Sequence, residues 1–187
     1  NFKFNEIITE PEVSKSGFHF SYNDSDINKI KSANLDLIIR MGSGILKGEI
    51  LKSSKFGVIS FHHGDSSIYR GGPPCFWEVY SKKPTTGFVI QRLNNSIDGG
   101  DIICEGQFPT QNYFYANQMF IYKKSNYYLK KTLSYVQQDK SLPKIYLEKP
   151  YFNKLYKSPN IFEIIKYILN TYSFILVKIL KKIILKR

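Results

Sequence analysis

Two cysteines, Cys75 and Cys104, are too few for a disulfide framework. Neither stands in a C-x-x-C spacing or beside a paired histidine of its own, so no zinc site is expected, and reduced thiols in a cytosolic protein are the simplest reading. Long apolar runs are absent too: in the C-terminal tail the longest uncharged stretch, Tyr167–Val177, has 11 residues, against the ~20 that span a bilayer. The chain shows no internal repeat and no low-complexity segment. Asn1 opens a polar stretch without the charged-then-apolar run of a signal peptide. A first residue other than Met is what a fragment or a processed product would have. Acidic side chains are scarce, 15 Asp+Glu against 27 Lys+Arg, for a net charge of +12. From Asp139 to Arg187 there are 11 basic and 3 acidic residues, so +8 of that excess belongs to the C-terminal extension. Charge so placed, without a recognised module, is poor evidence for nucleic-acid binding.

A hydrophobic fraction of 42% and an aromatic fraction of 16% over 187 residues argue for one folded domain with an appendage. Residues 4–9 predict a short strand and Phe18–Tyr22 a second extended piece. Asn23–Asp26 supplies N-cap candidates for a helix over Ile27–Ala33. Leu35–Met41 is a near-continuous apolar run, which predicts a strand covered on both faces. Gly42-Ser43-Gly44 breaks it, and residues 45–55 predict a short amphipathic helix. Phe56–Phe61 reads as a buried strand, His62–Gly72 as a loop, and Pro73-Pro74 as the start of a helix through about Tyr80. Lys82–Thr86 makes a turn, Gly87–Leu93 a strand, Asn94–Gly100 a loop and Asp101–Phe108 a further strand. Tyr113 to about Gln138 predicts a long helix, and Leu142–Pro159 a proline-punctuated linker. Strands alternating with helices predict an α/β sheet that is at least partly parallel.

Chemistry concentrates between Phe56 and Asp101, where polar groups fall at the ends of apolar strands, the position an open α/β sheet offers to a ligand. Taken alone, His62 would be a hydrogen-bonded loop histidine. His62-His63 with Asp65 is too compact for a metal site, which needs three or four ligands, so no metal is expected. Asp65 is expected to cap the loop or to pair with Arg70. Gly99-Gly100 fits a tight turn or a close approach to a ligand equally well. Phe76, Trp77, Tyr127, Tyr128 and Tyr135 are expected to cover the sheet rather than bind anything.

Three blocks, in order and correctly spaced, carry a resemblance. They are Leu35–Leu51 (LDLIIRMGSGILKGEIL), Ile59–Gly71 (ISFHHGDSSIYRG) and Thr86–Ile103 (TGFVIQRLNNSIDGGDII). Together they resemble the folate-dependent formyltransferase domain, the group of methionyl-tRNA and amino-sugar N-formyltransferases. The first resembles that family's strand, loop and helix beside the pterin. The second is similar to its N-x-H-P-S-L-L-P-x-x-R-G signature, running on through Pro74 and Trp77. The third is similar to the segment bearing its catalytic aspartate. The resemblance covers roughly residues 20–135. It implies a Rossmann-like three-layer α/β formyltransferase domain with a mostly parallel sheet, here joined to a C-terminal amphipathic helix. The expected domains are 1–138 (catalytic, short at its front), 139–159 (linker) and 160–187 (basic helical tail).

The resemblance implies N10-formyltetrahydrofolate as formyl donor and an amine acceptor, most plausibly an amino sugar or nucleotide sugar. His62 matches the catalytic histidine and Asp98 the catalytic aspartate. Ser60 stands where the family has Asn, and is expected to donate to the developing oxyanion through a shorter group. Met41, Gly42, Ser43, Gly44, Ile45, Leu46, His63, Asp65, Arg70, Gly71, Gly99 and Gly100 are expected to line the folate and acceptor sites. His63, Gly64 and Asp65 replace the signature's Pro-Ser-Leu, and only 34 residues precede Leu35 where the family has a full βαβ unit. A formyltetrahydrofolate hydrolase using the same His and Asp, and a non-catalytic formyltransferase-like protein docked through its tail, are the alternatives.

In that tail, apolar residues recur at 161, 165, 168, 172, 175, 176, 179, 180 and 183, close to helical period. A basic amphipathic helix of this kind predicts contact with an anionic membrane surface or a protein partner, in preference to packing within the chain. The expected location is therefore cytoplasmic, with membrane association at the inner face.

Overall fold

The computed structural model describes residues 5–42, 44–65, 67–95, 100–143 and 154–184, with 174–184 as helix backbone. Ser43, Asp98 and Gly99 lie outside the described residues.

The chain opens with β1 (Glu12–Val13) and β2 (His19–Ser21), followed by α1 (Asp24–Ser32). Asn23 caps α1, its side chain accepting from the Asp26 N–H at 2.9 Å, so the helix begins one turn ahead of the apolar pair that announced it. Residues 5–9 form no strand. Next come β3 (Ile38–Arg40), β4 (Ile45–Leu46), a 3-10 turn (Gly48–Lys52) and β5 (Val58–His63). The amphipathic helix expected over 45–55 does not form. Ile45 and Leu46 pair in parallel with His19 and Phe20 of β2, and Gly48 at φ 82° breaks the run before the 3-10 turn.

β6 (Arg70–Gly71), α2 (Phe76–Tyr80), β7 (Thr85–Arg92) and β8 (Asp101–Pro109) follow. The prolines do not start α2. Cys75 at φ 64° turns the chain after Pro74, and the helix begins at Phe76. His62 and His63 finish β5 rather than opening a loop. α3 (Phe114–Asp139) matches the expected long helix, and buries Asn117, Ile121, Ser125, Thr132 and Val136 along one face. The stretch read as a linker contains β9 (Leu155–Tyr156), which pairs in parallel with β6. α4 (Ile161–Ile184) closes the chain.

One sheet has the order β1-β2-β4 and another β3-β5-β7-β8, with β3 parallel to β5. β3 is an edge strand. Leu35, Ile39 and Met41 are accordingly exposed, Met41 at 72%, where a strand covered on both faces was expected.

The residues gather into two compact units. The first comprises residues 1–62, 88–106 and 125–149. Its core is Ile27, Leu46, Ile50, Leu51 and Val58, with Phe20, Ile30, Ile38 and Leu93 against them. Burial of such side chains stabilises by about 1.5–3 kcal/mol each. Tyr128 packs on Phe88 at 4.9 Å, but Tyr127 and Tyr135 are exposed, contrary to expectation, because they lie off the buried stripe of α3.

The second unit comprises residues 63–87, 107–124 and 150–187. Its core is aromatic: Tyr69, Phe76 and Trp77, with Tyr80, Phe114, Tyr156 and Tyr167 against them. Phe76 meets Trp77 at 5.1 Å and Phe114 at 5.3 Å, both edge to face. Tyr167 of the C-terminal helix packs against this cluster.

Candidate functional site

The sequence-predicted groups divide between the units. In the first, β5 carries Ser60 and His62 two residues apart, so strand alternation sets both side chains on one face. Both are buried, at 8% exposure each. Ser60 is in register with Arg40 of β3, and its Oγ lies 3.3 Å from the carbonyls of Arg40 and Phe61. These are long for hydroxyl hydrogen bonds, so the group can rotate to a better acceptor at little cost.

Gly57 (φ 81°) leads into β5, packed between the Arg92 side chain and the Leu51 carbonyl. Gly100 is the first described residue after the segment 96–99. A Cβ there would lie 2.2 Å from the Arg92 carbonyl, so only glycine lets the chain return against the end of β7. That close approach accounts for Gly100 by backbone packing. Asp98 and Gly99 themselves fall in the undescribed segment.

The loop after β3 borders a cavity of about 460 Å³, lined by Phe20, Tyr22, Arg40, Met41, Gly42 and Leu46 among others. Gly44 (φ 81°) admits the ring of Phe20, which a Cβ would strike at 2.2 Å. The Ile45 N–H donates to the Phe18 carbonyl at 2.7 Å and the Lys47 N–H to that of Phe20 at 2.9 Å. Arg40 Nη1 donates to the Gly42 carbonyl at 2.8 Å and so braces the loop. Burial lowers the pKa of its guanidinium, and Tyr22 opposes the shift. Sequence reasoning missed Arg40. Its signal was a lone cation ending the apolar run Leu35–Ile39.

In the second unit, Asp65 organises the signature loop. Its Oδ1 accepts from the N–H and hydroxyl of Ser67, and its carbonyl accepts from the N–H of Ile68 at 2.9 Å and of Tyr69. Of the two roles expected for Asp65, capping the loop is the one these bonds describe. Its own N–H donates to Oε1 of Glu78 at 2.9 Å. Glu78 is almost wholly buried and was not foreseen, because nothing in FWEVY distinguishes it from a solvent-facing helix residue.

A Cβ on Gly87 would lie 2.9 Å from the Asp65 Cα, so β7 and the loop touch backbone to backbone. Gly71 (φ 91°) allows the same approach to Tyr156 of β9, and Arg70 stands in register with Leu155. The His63 ring lies 4.2 Å from that of Tyr122, and its carbonyl accepts from the Cys75 N–H at 3.2 Å. Asn117, fully buried, donates to the Cys75 carbonyl at 3.1 Å and to Thr86 Oγ1 at 2.9 Å. It also accepts from the Gln111 N–H at 2.9 Å. Burial, with a smaller share from Glu78, pushes the Cys75 thiol far above its usual pKa. Among the described residues, no three His, Cys, Asp or Glu side chains group to hold a metal ion.

A parallel β3–β5 pair, with a histidine on its second strand and a cavity beside the loop of its first, belongs to an α/β domain. No protein-family model matches the chain. Methionyl-tRNA formyltransferase from Prochlorococcus marinus is 32% identical over 106 residues, which are 56% of this chain and 30% of that protein. The enzyme of that name from Listeria welshimeri is 28% identical over 113 residues, 55% of this chain and 36% of its own. The chain thus spans about a third of the length of these relatives. A solved structure of methionyl-tRNA formyltransferase from Clostridium thermocellum shares the fold. Its TM-score is 0.52 at 19% identity, over 78% of this chain and 67% of that one. Over the matched segment the chain is thus similar to methionyl-tRNA formyltransferases, and its fold is similar to theirs.

Proposed function

We propose that this chain transfers a formyl group from N10-formyltetrahydrofolate to an amine, and that an amino sugar or nucleotide sugar is the acceptor. The observation that carries the reading is the pairing of β3 with β5. It sets Ser60 and His62 on one face of a strand whose neighbour leads into the loop and cavity at Met41–Leu46. That cavity suits a flat heterocycle. Its volume lies in the ~300–1,000 Å³ range of small-molecule sites. Phe20 and Tyr22 supply aromatic walls, and Gly42 leaves backbone within reach of a polar ring edge.

As the acceptor nitrogen bonds to the formyl carbon, negative charge gathers on the formyl oxygen. Ser60 turns its hydroxyl from the Arg40 carbonyl to that oxygen. His62 takes the proton shed by the attacking nitrogen and delivers it to N10, whose bond to the formyl carbon then breaks. Asp98 orients the imidazole and stabilises its cationic form. Asp65, anchored by Glu78, acts on the signature loop as a positioning residue. Gly99 and Gly100 serve the turn that carries Asp98. His63, Arg70 and Gly71 are assigned to the acceptor side, as the resemblance implies.

The test incubates the protein with N10-formyltetrahydrofolate, with and without a pool of amino sugars, and follows tetrahydrofolate release. Release that requires the amine is the expected result. Release without amine would mark a hydrolase, and none in either arm would mark a protein without this chemistry. The relatives' name makes methionyl-tRNA the control acceptor, and turnover with it alone would replace the sugar assignment.

A further inference from the structure

The C-terminal helix presents an interaction surface that formyl transfer does not use. Three side chains of α4 are committed to the second unit. Tyr167 lies 5.4 Å from Phe76, and its hydroxyl accepts from the Phe114 N–H at 3.0 Å. Tyr172 stacks on Tyr113 at 5.3 Å, and the Lys166 ammonium sits over the Tyr80 ring at 5.4 Å. The start of the helix is closed reciprocally. The Glu163 N–H donates to Asn160 Oδ1 at 3.0 Å, and the Asn160 N–H donates to Glu163 Oε2 at 2.8 Å. That capping box occupies the helix's one carboxylate.

Ile161, Phe162, Ile164, Ile165, Ile168 and Leu169 stay exposed, Phe162 at 78%. At about 100° per residue they fall within one arc of roughly 160°, broader than the narrow seam of a coiled coil. Lys166 and Asn170 lie off that arc. The sequence keeps most of the register onward, with apolar residues at 175, 176, 179, 180 and 183 and lysines at 178 and 181, while Lys182 falls at the edge of the arc. Residues 160–187 hold six Lys and Arg against one Glu.

We propose that α4 lies in the interface of an anionic lipid bilayer, apolar arc toward the acyl chains and lysines toward the phosphates. Charge selects this occupant. A second copy of the helix would bring like charge to like, whereas anionic headgroups neutralise it. A wide apolar arc beside a basic face, on a helix of 24 residues, is the form of an interfacial helix. Among the described residues no helix is long and apolar enough to cross a membrane.

Sedimentation of the full chain with vesicles tests this. Phosphatidylcholine vesicles containing phosphatidylglycerol should capture the protein at low salt, and pure phosphatidylcholine far less. The double variant Ile165→Asp/Ile168→Asp replaces exposed side chains and should keep the unfolding midpoint while lowering vesicle affinity about tenfold or more. Should that variant fold poorly, Lys178→Glu/Lys181→Glu supplies the readout, losing affinity for the anionic vesicles alone. Absence of capture at low salt, or equal capture of wild type and variants, would overturn the proposal. So would a dimer, seen by sedimentation velocity without vesicles, that Ile165→Asp/Ile168→Asp dissolves.

Discussion

Ser60, standing where the family signature that the segment resembles has an amide reaching one bond further, carries a hydroxyl that rests on two long contacts to backbone carbonyls. If it serves the oxyanion, Ser60→Ala lowers kcat about tenfold or more with KM for the folate little changed. In the proposed mechanism His62 bears the larger share, so His62→Asn should cut turnover about 100-fold or more. Asp98→Asn should follow it, and near-normal activity in either variant would remove the assignment. Far-ultraviolet circular dichroism separates these losses from unfolding.

Asp26 offers a pH test independent of the site. The Lys29 ammonium at 2.8 Å, and then the Glu10 N–H at 3.1 Å, hold its carboxyl below the usual carboxylate range, with Asn23 adding a smaller share. A carboxyl with a depressed pKa in the folded state stabilises above its unfolded pKa, and that stability is lost as pH falls through the folded value. The Tm difference between wild type and Asp26→Asn should therefore be constant near neutrality and shrink on acidification below the usual carboxylate range. A difference that persists at lower pH would contradict this.

Short elements decide how the signature loop is held, and they were the hardest to foresee. β9 has two residues and pairs with β6 only because Gly71 has no Cβ to strike the Tyr156 carbonyl. In sequence Leu155-Tyr156 stands among prolines and lysines, with too few residues for any alternation to show. Asn117 shares the problem. On the page it is one polar residue in a helix rich in Tyr and Lys, yet folded it ties α3 to Cys75 and Thr86. Asn117→Ala should destabilise by about 2–3 kcal/mol in urea unfolding, since it strands two buried partners. Long elements behaved otherwise. α3 and α4 appear within a residue or two of their expected bounds, because twenty or more residues of period leave little room for another reading.

For the whole chain, catalysis and docking should separate. Ile165→Asp/Ile168→Asp touches no residue assigned to formyl transfer, so its kcat/KM in free solution should equal that of wild type. A parallel loss would tie the helix to the chemistry. The net charge of +12 lies mostly beyond Asp139, so raising salt should affect vesicle capture far more than turnover.

From the linear chain came the alternation of strands and helices, the spacing of three motif blocks and the amphipathic tail. Local period and fixed offsets along one chain are enough to specify them. Tertiary packing alone settled that β3 ends as a partly exposed edge strand, and that Glu78 and Asn117 are buried supports. Each depends on which backbone arrives alongside from far away in the chain. The stretch from Phe56 to Asp101 shows both sides. Its histidines and glycines stand out in sequence, and their work is divided by the strand pairs and close approaches around them.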